Sequence, residues 1–286
     1  MKIKTLIISS AVAFIVFQNA FIACKKKDLP VQTQKLKIDS IVYGNGEAIK
    51  FIYENDKIAY ANRYILQFPP DSQLISKIVY NYEGNKIVEK YRIYLAYNVI
   101  TWKIKYAYNA NGRLTSIQLL KPIVIGGVSG DIKPVSMLKI NYESDRLVSS
   151  EYFEYPSDST QPVKKAGYEY ESQNGNVILA LPDSIASFLD SFTYTYTNEP
   201  NFFLNDDLYI KDYPITDLDY ALLNYTALLP LYLNKNSTDS VKLGGQVLGY
   251  SLKTKRNNEG FPISALLYSH SFTTPNLIRG WSFFYK

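Results

Sequence analysis

The sequence predicts an all-β fold, an antiparallel β-meander of hairpin repeats curled into an open or closed barrel-like sheet, with one short helical insertion. Three observations predict it: a phrase that recurs along the chain, turn residues inside each copy, and alternation of apolar and polar side chains. Copies of the phrase lie at 51–58, 78–87, 104–114, 138–147, 168–177 and 192–200.

Each copy consists of a strand with tyrosines on alternate positions, a short polar turn, a basic residue and a second strand. The clearest copy, 104–114, reads IKYAYNANGRL. The spacing leaves room for two strands and two turns in each unit, so we expect 14 to 18 strands in antiparallel order. The tyrosines that align between copies are Tyr53, Tyr82, Tyr108, Tyr142, Tyr170 and Tyr196.

The turns are predicted from residues that tolerate positive φ angles. Asn111-Gly112 and Asn174-Gly175 are typical of the two-residue type I′ turn of tight hairpins. Asn55-Asp56 and Ser144-Asp145 are weaker versions of the same signal. Gly44-Asn45-Gly46 lacks the third glycine and the following helix of a dinucleotide-binding loop, so it is interpreted as a hairpin turn.

Alternation of apolar and polar side chains along the strands predicts one aromatic face and one solvent-exposed face. In 103–108, Ile104, Tyr106 and Tyr108 are expected on one side, opposite the two lysines and the alanine. The 26 tyrosines of the chain are therefore interpreted chiefly as core residues, with a binding face as the alternative. Trp102 and Trp281 allow the same two interpretations.

Residues 200–245 interrupt the strand rhythm and predict the helical insertion. Thr216 and Asp219 approximate a capping box, and an apolar stripe at helical spacing follows until Pro230. This stripe, formed by Leu218, Leu222, Tyr225 and Leu229, predicts a packed plug or lid. Residues 126–130 and 157–162 are expected to be long hairpin loops.

The N-terminus has the layout of a secretory signal peptide, with Lys2 and Lys4 before an apolar stretch. Phe21-Ile22-Ala23-Cys24 resembles the bacterial lipobox, which implies cleavage after residue 23 and lipid attachment at Cys24. We expect a signal peptide at 1–23, a polar tether at 24–35 and one β domain at 36–286. An uncleaved transmembrane segment is the alternative.

Cysteine content and charge exclude two further classes. Cys24 is the only cysteine, so no disulfide can form within the chain. The chain has 31 basic and 26 acidic residues, and five lysines, Lys2, Lys4 and the run at 25–27, account for the excess. The remaining body is neutral and lacks the basic footprint of a nucleic-acid-binding protein.

The repeated phrase resembles the degenerate YD (tyrosine-aspartate) repeats of a family of bacterial lipoproteins of unknown function with a porin-like fold. The resemblance covers residues 36–286 and includes the steps at 198–202 and 258–262. These copies have Glu, Asn or Thr where the family has aspartate after the tyrosine. The resemblance implies a lipid-anchored protein of the cell envelope at the outer membrane.

A search for catalytic chemistry predicts no catalytic, metal-binding or cofactor-binding residue, and no cofactor. His270 is the only histidine, no Gly-x-Ser-x-Gly turn accompanies it, and a zinc site needs several His or Cys ligands. His270 is therefore interpreted as a strand residue. Paired carboxylates could cleave glycosides, and the densest acidic cluster consists of Asp206, Asp207, Asp217 and Asp219.

The sequence thus favours a noncatalytic binding or structural module, with a glycan or a surface protein as the candidate ligand and the membrane as a partner through Cys24. The pattern does not identify the contacting aromatics or the oligomeric state. A lipid-anchored glycan hydrolase is one alternative. A transmembrane β-barrel is the other, although the aromatic segment 281–285 is interpreted as the closing strand.

Overall fold

The structure is a computed structural model that describes residues 37–44, 46–66, 72–125, 128–144, 146–157, 159–184, 191–201, 233, 235–243, 249–259, 261–271 and 274–285. These residues form sixteen strands in one closed antiparallel barrel. The predicted all-β meander and its strand count are confirmed. The strands are β1 Ile38–Tyr43, β2 Glu47–Glu54, β3 Lys57–Leu66, β4 Ser72–Glu83, β5 Lys86–Tyr94, β6 Val99–Tyr108, β7 Leu114–Ile125, β8 Val128–Glu143, β9 Arg146–Glu154, β10 Val163–Gln173, β11 Asn176–Pro182, β12 Phe192–Pro200, β13 Asn236–Leu243, β14 Gly249–Arg256, β15 Pro262–Ser271 and β16 Thr274–Tyr285.

The barrel closes where β1 pairs with β16. Ile41 lies opposite Phe283 at this seam, and both side chains are buried. The same pairing makes the aromatic segment at 281–285 the closing strand, as the sequence predicts. Closure pairs the two strands that would otherwise expose unpaired backbone groups at the sheet edges.

The two ends of the barrel carry different connections. We call the end that joins β2 to β3, β4 to β5, β6 to β7, β8 to β9 and β10 to β11 the turn end, and the opposite end the loop end. At the turn end, Asn55 and Asp56 have φ angles of 49° and 65°, and Asn174 and Gly175 have 54° and 81°. Positive φ at both central residues is the geometry of a type I′ turn, so these two predictions are confirmed.

The predicted type I′ turn at Asn111-Gly112 is wrong. Residues 109–113 connect β6 to β7, and of the two predicted residues only Gly112 has a positive φ. Asn109 closes this longer turn, because its backbone N–H donates to the Arg113 carbonyl at 2.9 Å and its Oδ1 accepts from the Arg113 N–H at 2.9 Å. A five-residue connection does not need two consecutive residues of positive φ.

Side chains alternate between the barrel interior and its outer wall, but each odd-numbered strand near the turn end contains a β-bulge. In β5, for example, Ile87 pairs with Tyr82 and Glu89 with Asn81, which leaves Val88 without a partner. Residues three apart, such as Ile87 and Lys90, are consequently both buried. The bulged residues are Asp39, Ala59, Val88, Thr115, Val148, Ile178, Asp239 and Ile263.

On the even strand β6 the predicted alternation is confirmed. Ile104 and Tyr106 are buried inside, whereas Lys105 is exposed. The outer wall is polar in mid-strand: Lys103 Nζ lies 3.2 Å from Glu89 Oε2. Lys164 similarly forms ion pairs with Glu151 and Asp183, at 2.7 Å each.

The structure corrects two predictions about the segments that connect strands. The helical insertion predicted within 200–245 lies largely outside the described residues, but its C-terminal part, Asn236–Leu243, is strand β13. Gly130 belongs to β8 and not to a long loop at 126–130, because the ladder between β7 and β8 extends to Ile125 and Val128. The loop expected at 157–162 does lie between β9 and β10.

Candidate functional site

The repeated tyrosines hold the turn end of the barrel together. The Tyr53 hydroxyl donates to the Ile38 carbonyl at 2.8 Å, and Tyr108 donates to Ile87 at 2.7 Å. Tyr196 donates in the same way to Val177, and Tyr285 to Pro262 at 2.7 Å. Each hydroxyl thus joins the end of one even-numbered strand to the start of the strand before it.

The basic residue of the repeated phrase also has a structural role. Lys57 Nζ lies 5.3 Å from the centre of the Tyr82 ring, Lys86 Nζ lies 5.4 Å from that of Tyr108, and Arg113 Cζ lies 5.5 Å from that of Tyr142. A cation at this distance from an aromatic face is attracted to the ring. The repeat therefore links each hairpin to the next one.

Tyr170 does not occupy the position that the comparison of the six repeat copies predicts. Tyr170 pairs with Ala180, whereas Ser172 pairs with Val177 at the position that Tyr82 and Tyr142 occupy in their own hairpins. Ser172 Oγ donates to the Leu147 carbonyl at 3.4 Å. Tyr170 is instead a buried core residue that shares a hydrogen bond with Ser150.

The interior near the loop end contains charged side chains on neighbouring strands. Arg63 on β3 pairs with buried Ile49, so it projects inward, as does Glu47 two residues before Ile49. The Arg63 guanidinium donates two hydrogen bonds to the Glu47 carboxylate, of which the Nε–Oε2 bond is 3.3 Å. This ion pair forms one side of the candidate site.

Arg92 on β5 forms the second side and has a different environment. Its Nε donates to Thr101 Oγ1 at 2.7 Å, and its Cζ lies 5.6 Å from the ring centre of Trp102. Within the described part of the chain, Arg92 forms no ion pair, and its two Nη atoms have no hydrogen-bond partner. Burial, together with the positive charge of Arg63, lowers the pKa of Arg92 to about 10, and Glu47 opposes this shift. Arg92 is therefore still cationic at neutral pH.

Two buried polar atoms lie beside Arg92. Ser76 on β4 pairs with Arg63 on one side and Tyr94 on the other, and Trp102 lies directly opposite Arg92. Ser76 is 1% exposed and Trp102 is 5% exposed. Ser76 Oγ and Trp102 Nε1 have no hydrogen-bond partner among the residues that the structure describes. Buried polar groups without partners are rare in proteins, and they indicate a ligand or a bound water.

The rim above this cluster is aromatic and apolar. Tyr94 ends β5, and its ring centre lies 5.8 Å from that of Tyr97 in the β5–β6 connection, with 37° between the ring planes. Tyr97 is 76% exposed. Leu66, Leu74 and Leu95 are also exposed at this end of the barrel. We call the set Glu47, Arg63, Ser76, Arg92, Tyr94, Tyr97 and Trp102 the β2–β6 site.

Lys90 lies deeper in the barrel than the β2–β6 site and on the same strand as Arg92. It is 1% exposed, pairs with Tyr80 and Ile104, and its Nζ lies 5.9 Å from the centre of the Tyr106 ring. Burial lowers the pKa of Lys90 to about 7. The interior of this sector is therefore rich in basic groups.

The structure does not bring the sequence-predicted site residues together. Cys24 and the acidic cluster at Asp206, Asp207, Asp217 and Asp219 lie outside the described residues. His270 is a strand residue of β15, as predicted, and its backbone pairs with Gly249 and Pro275. The described part of the chain contains no group of three potential metal ligands. It also contains no helix long and apolar enough to cross a membrane.

The sequence reasoning missed the β2–β6 site because of the bulges. A strict alternation from Ile87 would place Glu89 and Tyr91 inside, but the bulge at Val88 turns Lys90 and Arg92 inward instead. A signal was nevertheless present. Lys90 and Arg92 are two residues apart, so they share one face of β5. A one-residue shift in the alternation after the turn places that face inside the barrel.

The chain is similar to several proteins of known structure. No protein-family model matches the chain, and no curated protein matches it. It is similar to crystal structures of a porin-like protein from Bacteroides uniformis (10% identity, TM-score 0.48) and of one from Bacteroides vulgatus (12% identity, TM-score 0.49). Each similarity covers 87% of this chain and 98% of the other.

A protein with unknown function from Bacteroides fragilis is similar over 44% of this chain and 93% of its own length, with 9% identity and a TM-score of 0.35. At these identities the likeness says nothing about activity. Membership of the YD-repeat lipoprotein family therefore stays a prediction from the sequence.

Proposed function

We propose that the protein is a lipid-anchored, noncatalytic module of the cell envelope that binds a glycan at the β2–β6 site. The observation that carries this proposal is the pair of tyrosines at the rim, with Tyr97 76% exposed beside Tyr94. A tyrosine ring offers a flat apolar face and a hydroxyl, which together suit the apolar face and the hydroxyl groups of a sugar.

The atoms below the rim support the same proposal. Ligand sites combine apolar and aromatic walls with a few polar groups that fix orientation. Ser76 Oγ and Trp102 Nε1 are such groups, because both are buried and have no partner among the described residues. A sugar hydroxyl can donate to the serine and accept from the indole.

The polar outer wall of the barrel supports attachment through a lipid at Cys24 over a transmembrane barrel. The outer wall carries ion pairs in mid-strand, such as Lys103 with Glu89. An apolar band is what strands facing lipid require, so the polar wall favours the lipid-anchored form over the transmembrane barrel.

A glycan hydrolase is less well supported by the described residues. Glycoside cleavage needs two carboxyl groups that face each other across the bond. Glu47 is the one carboxylate within the β2–β6 site, and it is held by Arg63. We therefore propose binding without catalysis.

A surface protein is the second candidate ligand. Leu66, Leu74 and Leu95 favour it, because they are exposed apolar side chains at the loop end that a protein surface can cover. The two candidates differ in what they need. A protein partner would lose affinity when Leu95 is replaced by serine, whereas a glycan that stacks on Tyr97 would not.

The proposal is tested by glycan-array binding of the full chain, followed by titration of the glycans that it retains. We expect Tyr97→Ala to weaken binding about tenfold or more, a loss of about 1.4 kcal/mol. Tyr60→Ala is the matched control, because Tyr60 lies on the outer wall beside Lys77. Retention of no glycan, or equal losses in both variants, would contradict the proposal.

The lipid is tested separately by the intact mass of the membrane-extracted chain and of a Cys24→Ala variant. We expect a lipidated mass that begins at Cys24 and is absent from the variant. A chain that retains Met1 without lipid would refute the attachment and leave glycan binding to be judged by its own titration.

A further inference from the structure

Arg92 is a cation inside the barrel whose charge no described side chain neutralises. Arg63, its neighbour in the site, forms a two-bond ion pair with Glu47, whereas Arg92 donates only to the neutral hydroxyl of Thr101. Proteins pair or hydrogen-bond charges that they remove from water, because desolvation is costly. A half-buried guanidinium with both Nη atoms available can therefore bind an anion.

Two neighbouring side chains, Trp102 and Ser76, offer hydrogen-bond donors to an anion on Arg92. Trp102 lies directly opposite Arg92 across the β5–β6 ladder, and the centre of its ring lies 5.6 Å from Arg92 Cζ. Ser76 is a diagonal neighbour, because it pairs with Tyr94 while Arg92 pairs with Ile78. Diagonal neighbours in a sheet lie about 7 to 8 Å apart, within reach of a long side chain and a small group between them.

From this arrangement we propose that the β2–β6 site recognises an acidic sugar, one that carries a single negative charge on an oxygen-bearing group. The group lies against the Nη atoms of Arg92 and accepts hydrogen bonds from Ser76 Oγ and Trp102 Nε1. A uronic-acid carboxylate and a sulfate ester share this chemistry. The inference rests on the proposed glycan-binding function and names the class of ligand.

The charge balance sets the number of charges on the ligand. Glu47 neutralises Arg63, so the site has one uncompensated positive charge at Arg92, and a monoanion balances it. The planar fork of arginine matches two acceptor oxygens of one group, which lysine does not reproduce.

The rim completes the arrangement for a sugar. Tyr97 and Tyr94 border the site on the loop-end side, where the sugar ring can stack while its charged group points toward Arg92. Free acetate or sulfate lacks a ring to stack on these tyrosines. We therefore expect the acidic sugar to bind more tightly than the bare anion.

The test is calorimetric titration of the full chain with three oligosaccharides of equal length: a neutral one, one of galacturonic acid and one bearing a sulfate ester on each sugar. We expect an acidic oligosaccharide to bind at least tenfold more tightly than the neutral one, with an affinity that falls as salt is added. The galacturonate and sulfate arms distinguish the two sources of charge.

Arg92→Gln is expected to remove the preference for the acidic oligosaccharide. Lys103→Gln is the matched control: it changes the net charge equally and adjoins Trp102, but Lys103 lies on the outer wall with Glu89. Ser76→Ala is expected to weaken acidic-sugar binding a fewfold. Equal losses in Arg92→Gln and Lys103→Gln would mean nonspecific attraction and would overturn the inference.

A measurement on the wild-type chain keeps the test independent of the folding of the variants. We expect the indole N–H resonance of Trp102, assigned with Trp102→Phe, to shift when galacturonate or the sulfated sugar binds. Binding of neutral and acidic sugars with equal affinity would overturn this inference and leave glycan binding intact. Binding of no sugar at all would overturn both.

Discussion

The turn end and the loop end of the barrel are built from the same sixteen described strands but differ in the hydrogen bonding of their polar side chains. At the turn end, four of the six repeated tyrosine hydroxyls, those of Tyr53, Tyr82, Tyr108 and Tyr196, have a backbone partner. At the loop end, Ser76 Oγ and Trp102 Nε1 are buried without partners in the described part of the chain. Among the described residues, most of the repeated hydroxyls are thus satisfied by the backbone, whereas the β2–β6 site contains two buried polar atoms without partners.

The difference separates stability from function. The turn end contains aromatic rings, cations above them and hydroxyls that join neighbouring hairpins, all of which stabilise the fold. The polar interior near the loop end contains Arg63, Lys90 and Arg92, whose removal from water costs free energy. We therefore expect substitutions at the two ends to change different quantities, and the following experiments test this separation.

The largest effect is expected from Lys90 and depends on pH. Below about pH 7, Lys90 is protonated in both states and destabilises the folded one; between pH 7 and its ordinary pKa of 10.5 only the unfolded state keeps the proton. The free energy of unfolding should therefore rise by about 3 kcal/mol between pH 6 and pH 9.5, at about 1.4 kcal/mol per pKa unit. Urea denaturation at a series of pH values measures it.

Lys90→Met should flatten this rise and stabilise the protein at pH 6, whereas Lys105→Met, on the outer wall, should leave it unchanged. Above pH 10 the slope should reverse in every variant. Burial raises the pKa values of Tyr80, Tyr170 and Tyr194, so these groups ionise first in the unfolded state. If the free energy of unfolding of Lys90→Met still rises between pH 6 and pH 9.5, the rise comes from another group.

The next effect compares a tyrosine from each end. Tyr108→Ala removes a ring packed on the core together with its hydrogen bond to Ile87, and it should lower the free energy of unfolding by about 2 kcal/mol. Tyr97→Ala, at an exposed position, should change stability by less than about 0.5 kcal/mol. Denaturation and glycan titration of both variants should give opposite rankings. Equal losses of stability would remove the distinction between the ends.

A smaller effect isolates the tyrosine hydroxyl. Tyr108→Phe keeps the ring and deletes the 2.7 Å bond to Ile87, which should cost about 1 kcal/mol. Tyr285→Phe deletes the corresponding bond to Pro262 and should cost a similar amount. Thermal unfolding measures both. Unchanged melting temperatures in the two variants would show that the repeated hydroxyls do not join the hairpins.

The smallest effect concerns the basic residue of the repeat. Arg113→Gln removes the cation 5.5 Å from the centre of the Tyr142 ring and should cost about 0.5 kcal/mol. The double variant with Tyr142→Leu should show no further loss from Arg113→Gln. Additive losses in this double-mutant cycle would indicate that the two side chains act independently.

The sequence predicts more of the turn end than of the loop end for a physical reason. Turn chemistry and alternation are local, so the hairpin at Asn174-Gly175 and the faces of β6 can be predicted. The inward direction of Arg92 depends on a bulge at Val88, which the alternation alone does not reveal. The pairing of Ser76 with Tyr94 depends on the register between β4 and β5, which no local pattern specifies.

The seam between β1 and β16 has a consequence for folding. Ile41 and Phe283 lie near opposite ends of the chain, and their pairing closes the barrel. Contacts between such distant residues form slowly, because a long loop must be closed first. Until β16 has been made, the sheet has two open edges that can pair with other chains. A truncation that removes β16 should therefore aggregate, even though it keeps the five hairpins from β2–β3 to β10–β11 at the turn end.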